Sequence, residues 1–507
     1  MSMSNGNPAK VDLREEKLQQ IIEKHNTRGR LRPILFEAQR LYGELPVAAH
    51  LKIAQAVGML PVKLYGVTTF SPAGKNCYTN ASDSFQTADR IENRQGGFRN
   101  IAGVVSETGY RALLQALAGK DSAGIVETVK KSGLRERDRT GEPVGLQWER
   151  VRREADEQKF ICCYVSENDI GSVKDRMLIE QNPHLLLEAM AIAGLATGAD
   201  TGYVLLNASW DLAAERLQAA IDEAKQLRFL GTHIDESAFS FEVEIRFSNE
   251  DVLFGEKTSL IAYLEGNRGE PAVFSGAMPC LWQKPVVIHN IETLYHIPAI
   301  LLEEGQKPDD TVTGSDVRTK LFAVVGDLNH PGIMEIPLGT TLREVIFGMG
   351  GGIPGGKKLK AVQIGGMAGG CIAADQIDIP LDYESLHQLG LNMGSGGLVI
   401  MAEGYNIVAA AKNAMEFSAE RSCGKCSPCR IGTKRMLEIL RKIAAGAGEE
   451  SDLTKLEILA RNVKAASFCG FGRTAPDFVL STLTLFRDEY RSYVINKNRN
   501  PAGGVNQ

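Results

Sequence analysis

The chain has 507 residues, with 57 Lys plus Arg against 62 Asp plus Glu and nine cysteines. A formal net charge of -5 gives no general case for nucleic-acid binding. Nine cysteines are too few for a disulfide scaffold and their odd count would strand one in a secreted chain, so a cytoplasmic protein is expected.

The opening MSMSNGNPAKVDLREEK has no apolar core of signal-peptide length. Nor does any run reach the roughly 18 apolar residues of a membrane-spanning helix, so no membrane insertion is expected. The length predicts about three or four domains. Residues 1–75 read as short helices, EEKLQQIIEKHN, LRPILFEAQRLYG and AAHLKIAQAVG, punctuated by Pro46 and Pro61, which suggests a small bundle. Residues 76–102 begin with the polar NCYTNASDSFQTADRIENRQGGFR and read as a linker. Over residues 103–318, apolar runs such as FICCYV and TGYVLLNA alternate with helical stretches such as HLLLEAMAIAGLA, the pattern of an open sheet covered by helices.

From Thr319 to about 390 the chain turns to short strands and glycine turns, KLFAVVG, GIMEIP and AVQIGG. GGIPGGKK at 351–358 nearly spells a phosphate-binding loop, but Lys358 stands where Ser or Thr would hold magnesium, so nucleotide hydrolysis is not expected. Residues 391–496 are mostly helical. NIVAAAKNAMEFSAER places Ile407, Ala411, Met415 and Ser418 near one face, and KRMLEILRKI repeats Met436, Ile439, Leu440 and Ile443 at helical spacing. The tail after Asn496 reads as disordered.

Between those helices RSCGKCSPCR carries Cys423, Cys426 and Cys429, and Cys469 follows in SFCGFG after 39 residues. Two residues between successive cysteines let a tight turn aim three sulfurs at one cuboidal cluster, with the remote cysteine as fourth ligand. The gap tells against a compact zinc finger, whose ligands come as two close pairs, although spacing alone leaves zinc open. The other cysteines, Cys77, Cys162, Cys163, Cys280 and Cys371, are expected as small core residues. His184 and His296 lie in apolar stretches and are expected as satisfied structural histidines.

At the cysteine helices, GSGGLVIMAEGYNIVAAAKNAMEFSAERSCGKCSPCRIGTKRMLEIL with SFCGFGRTAPDFVLSTLTLFRDEY resembles the NADH-binding flavoprotein subunit of respiratory complex I. It equally resembles the diaphorase subunits of NAD-linked hydrogenases and formate dehydrogenases. The likeness runs from roughly Gly103 to Tyr493 and implies a 4Fe-4S cluster on Cys423, Cys426, Cys429 and Cys469. The implied fold class is α/β, with a Rossmann-like flavoprotein domain, a ubiquitin-like β-grasp module resembled by KLFAVVGDLNHPGIMEIPLGTTLREVI, and a C-terminal helical bundle after a small N-terminal helical segment. That first segment is similar to the start of the thioredoxin-like 2Fe-2S partner subunit. Only Cys77 follows it where a 2Fe-2S cluster needs four ligands, so it reads as a docking remnant.

The resemblance fails where flavin and nucleotide should bind. In SGLRERDRTGEPVGLQW, Glu136, Asp138 and Arg139 stand at the family's glycine positions, Gln147 at a flavin-contacting lysine and Glu142 at an aromatic that stacks on NADH. CYVSENDIGSVKDR puts Tyr164 and Ser166 where Asn and Asp hold flavin, and Asp169 where a Glu meets the nucleotide. Lys257 replaces a nucleotide-facing Glu, and His289 the first of two asparagines. Arg137, Glu167, Glu256, Asn290 and Thr293 do match and would be the cofactor-binding residues if FMN is retained. Overpacking a close-contact loop costs ~1 to 3 kcal/mol per site and an unpaired buried charge several more, against about 8 kcal/mol for a micromolar site. Arg135, Arg137 and Arg139 could pair phosphates in a rearranged loop.

The expectation is therefore an iron-sulfur electron-transfer subunit of a multi-subunit oxidoreductase, relaying electrons through a 4Fe-4S cluster to other iron-sulfur or catalytic subunits. FMN and NAD are expected to be absent and no catalytic residue is assigned. The alternatives are an active diaphorase passing hydride from NADH to FMN and electrons on to the cluster, and a non-redox structural or assembly subunit.

Overall fold

A computed structural model of the chain describes residues 13–24, positions 34, 37, 38, 41, 49, 52, 53 and 56, and residues 110–494 apart from 120, 166–172, 249–254, 273–277, 303–318 and 367–368. It divides into two units, Met1–Asp83 and Ser84–Gln507. In the first, the helix Leu13–Lys24 and the described positions from 34 to 56 are helical. Leu18, Ile22, Ile34, Ala38, Ala49 and Ile53 bury together, as three amphipathic stretches would. Cys77, the linker and the tail lie outside the described residues.

The second unit holds two sheets. The first has the order β3-β2-β1-β5-β4, built from β1 (Phe160–Tyr164), β2 (Thr201–Asn207), β3 (Glu242–Ser248), β4 (Cys280–Leu281) and β5 (Lys284–Asn290). β1 runs parallel to both β2 and β5, and β2 to β3. FICCY is buried at every position, because helices cover one face and further apolar residues the other. One covering helix, Pro183–Thr197, starts at the Asn182 cap and stops at Gly198, whose φ of 82° favours glycine. Parallel pairing also aligns the carboxyl ends of β1 and β5, with Tyr164 beside Asn290. In open α/β sheets that end receives ligands.

The second sheet has the order β7-β6-β10-β8-β9, from β6 (Thr319–Gly326), β7 (Gly332–Pro337), β8 (Leu359–Ile364), β9 (Gly370–Ala373) and β10 (Gly397–Ala402). β10 pairs parallel with β6 and antiparallel with β8, so the middle strand comes from beyond residue 390, where a helical domain was expected to begin. The near phosphate-loop GGIPGGKK is a turn leading into β8, with left-handed glycines at 351, 352, 355 and 356.

The helices Ile407–Arg421, Ser427–Ala444 and Glu450–Ala466 follow. Ile407, Ala411, Met415 and Ser418 are all buried, as the periodicity predicts. In the next helix Met436, Leu440 and Ile443 are buried, but Leu437 takes the place expected of Ile439. Cys162, Cys163 and Cys371 are buried. Cys280 is exposed, correcting its expected core position, because it lies on the two-residue edge strand β4. His184 is buried between the Tyr110 hydroxyl and Glu223. Among the described residues, no helix is long and apolar enough to cross a membrane.

Candidate functional site

Cys423, Cys426, Cys429 and Cys469 line one cavity of about 280 Å3, counting its open side, with Pro271, Ser422, Lys425, Phe468 and Phe471. The cysteines do not all sit in a loop as expected. Pro428 lies in the first turn of the helix Ser427–Ala444, which makes Cys426 its cap and carries Cys429 on its first turn. Gly424 adopts a φ of 79°, the left-handed turn that the Cys-x-x-Cys segment needs. Cys469 caps the short helix Gly470–Thr474, and the Gly472 amide donates toward its sulfur at 3.5 Å. Ser422 Oγ lies 3.3 Å from Cys429 Sγ. Burial pushes the Cys429 thiol up to about 11 and the Cys469 thiol up to about 12, so both need a bound metal to become thiolates near neutrality. Four soft sulfur donors on a half-shielded cavity suit an iron-sulfur cluster.

The second site is the loop from Arg135 to Pro143 with the first turn of the helix Val144–Arg153, which carries Gln147, at the carboxyl ends of β1 and β5. The Glu136 side chain is fully buried. Its Oε1 accepts from His289 Nδ1 at 2.6 Å and Gln147 Nε2 at 3.0 Å, and its Oε2 from Thr293 Oγ1 at 3.0 Å. Trp148 Nε1 can only donate, and it does so to His289 Nε2 at 2.7 Å, which leaves Nδ1 to carry the proton given to Glu136. Burial opposes the Glu136 charge, and the hydrogen bonds from His289 and Thr293 together with the nearby Lys257 hold the carboxyl below its usual range. Lys257 Nζ donates to Glu142 at 2.7 Å and to Gln147 Oε1 at 3.2 Å. Asp138 accepts from Tyr164 at 3.1 Å and from the Thr140 amide and hydroxyl at 2.7 and 2.6 Å.

Of the residues expected to hold FMN, Asn290 is engaged with Asp175 at 2.8 Å and with the Glu292 amide at 3.0 Å. Thr293 is shared between Glu136 and the Arg137 amide. Glu256 Oε1 accepts from Arg139 at 2.8 Å and from the Phe471 amide at 2.8 Å. Arg135 pairs with Glu384 at 2.6 Å. Arg137 is fully buried, and among the described residues none of its three guanidinium nitrogens meets a hydrogen-bond acceptor. Glu167, Ser166 and Asp169 lie outside the described residues. Sequence reasoning missed Tyr383, whose hydroxyl donates to the Glu136 carbonyl at 2.6 Å and whose ring lies against Gly141 so closely that a Cβ there would clash. It also missed Ser422 and Trp148. Ser422 adjoins Cys423 and could have been suspected, whereas Tyr383 lies 247 residues from Glu136 and leaves no local signal.

Residues 129–299 match the family model described as the Nuo51 FMN-binding domain, and residues 409–493 that of the NADH-ubiquinone oxidoreductase-F iron-sulfur binding region. The chain is 40% identical over 413 residues to the NADP-reducing hydrogenase subunit HndC of Solidesulfovibrio fructosivorans, covering 80% of this chain and 84% of the relative. It is 36% identical to the F 2 subunit of NADH-quinone oxidoreductase in Rhizobium meliloti (strain 1021), covering 76% and 92%. Among solved structures, an NAD+-reducing [NiFe]-hydrogenase in the H2-reduced state aligns with a TM-score of 0.67 and 27% identity, covering 79% of this chain and 68% of that one. The chain therefore belongs to the family of NADH-quinone oxidoreductase F subunits, as an electron-transfer subunit that has both the FMN-binding domain and the 4Fe-4S-binding region.

Proposed function

We propose that this chain is an iron-sulfur relay whose inherited flavin site no longer takes FMN or NADH. The observation that carries the reading is the closed bonding among residues that depart from the family pattern. Lys257 holds Glu142 and Gln147, Gln147 holds Glu136, and Glu136 holds His289. Tyr164 and Asp138, two further departures, bond to each other. A flavin would have to displace these side chains and strand buried charges, which costs about 3 to 5 kcal/mol for one broken buried pair and so a large part of a micromolar affinity. The residues present do not fit the flavin.

They do fit a cluster. A 4Fe-4S cluster on Cys423, Cys426, Cys429 and Cys469 would supply one-electron transfer. This chain's part is to bury three of the sulfurs, leave Cys423 half-buried, and set the charge around them. By likeness to subunits of hydrogenase and NADH-quinone oxidoreductase, its partners are other redox subunits.

Arg137 favours the second reading, an active diaphorase. A buried guanidinium with no acceptor among the described residues is what an anionic cofactor group would satisfy. Cofactor content separates the two. Protein purified anaerobically should contain about four iron and four sulfide per chain and release no FMN on denaturation. One FMN per chain would overturn the proposal, and a single zinc in place of iron would remove the cluster from both readings.

A further inference from the structure

The cysteine cavity and the filled loop are joined by one ion pair. Arg139 comes from the loop and Glu256 from the turn before the helix Lys257–Leu264, and they meet at 2.8 Å. The same Glu256 oxygen accepts the Phe471 amide, two residues past Cys469. The Arg139 guanidinium lies so close to Gly470 that a Cβ there would fall onto it, so a positive group rests on the residue next to a cluster ligand.

Two opposite charges thus stand beside one ligand, and only one of them is new relative to the family pattern. A fixed charge near an iron-sulfur cluster changes the relative stability of its oxidised and reduced forms, because reduction adds a negative charge. Glu256 alone would disfavour reduction. Arg139 offsets it, and both are partly shielded, with side-chain exposures of 32% and 13%.

We infer that Arg139 is a tuning residue for the iron-sulfur centre, holding its reduction potential up by neutralising Glu256 beside Cys469. The inference rests on the proposed cluster. Replacing the family's glycine by arginine at 139 has a consequence at each site: it obstructs the flavin loop and brings a cation to the cysteine pocket.

The test is redox potentiometry, monitored by electron paramagnetic resonance, on the full chain and on Arg139→Ala, Arg139→Lys and Glu256→Gln. Iron and sulfide are assayed first in the unmodified chain and in every variant, so that absence of the cluster from the unmodified chain, which would sink the parent proposal, is distinguished from a failure of tuning. With the cluster loaded, Arg139→Ala should lower the potential, Glu256→Gln should raise it, and Arg139→Lys should recover most of the Arg139→Ala shift. The shifts should shrink at high salt, because the pair is partly exposed. Unchanged potentials in loaded variants, or shifts of the same sign from Arg139→Ala and Glu256→Gln, would overturn the inference. Should Arg139→Ala fail to hold its cluster, Arg139→Lys and Glu256→Gln still decide it, since a structural role predicts no ordered change in potential.

Discussion

The cysteine pocket and the Arg135–Pro143 loop lie in one folded unit, yet they satisfy their polar groups in opposite ways. In the pocket, four sulfur donors face a common cavity and have few protein partners. In the loop, donors and acceptors face one another: Glu136 alone accepts three side-chain bonds. Groups that are partnered within the chain have no surplus for a ligand, whereas groups without partners need one. Arg137 is the exception within the loop, and the place where this contrast is most open to attack.

The largest expected effect comes from the pocket. Cys426→Ala should lose nearly all iron and sulfide on anaerobic reconstitution, while circular dichroism retains the helical signal; full iron content would mean that the pocket does not hold the cluster. In the loop, changing Glu136, Asp138 and Arg139 together to glycine should destabilise the protein by several kcal/mol in urea unfolding without creating NADH oxidation. Gln147, Tyr164, Ser166 and Lys257 remain, so robust activity from the triple change would refute a loss spread over several points. A double-mutant cycle with Glu136→Gln and His289→Asn should give a coupling of about 1 to 3 kcal/mol, and additivity would mean that the buried bond carries little.

Acid should distinguish the regions as well. The Glu136 carboxyl is held below its unfolded value, so its contribution to stability is present above about pH 4.5 and is lost as pH falls through the lowered folded value. Glu136→Gln should flatten that part of the stability profile; an unchanged slope would remove Glu136 from the acid response. The smallest effect is expected at the loop's rim. Glu142 is well exposed in its pair with Lys257, so Glu142→Gln should cost at most about 1 kcal/mol.

Much of the fold follows from local pattern. The face of Ile407, Ala411, Met415 and Ser418 is a 3.6-residue repeat, and the buried run FICCY is what a parallel strand needs. β10 escapes such a reading because its neighbours β6 and β8 are set by pairing across long sequence separations, which no local pattern carries. The exposure of Cys280 has a similar cause, since only the sheet order reveals an edge strand. At the site, the cluster cysteines could be read because their spacing reflects the ligand chemistry itself. The departures at 136, 142, 147, 257 and 289 could be read one at a time, but not as a network. Glu136 and His289 are 153 residues apart, and Lys257 and Glu142 are 115. The charge reversal at Lys257, matched by a new carboxylate at Glu142, was the signal that could have suggested their pairing.

The central claim is that the loop has lost its ligand while the pocket has kept one. It is tested most directly by titrating FMN into the cluster-reconstituted full chain and following flavin fluorescence. No saturable binding up to at least ~100 μM FMN is predicted; one-to-one quenching with a Kd near or below 1 μM would contradict the account.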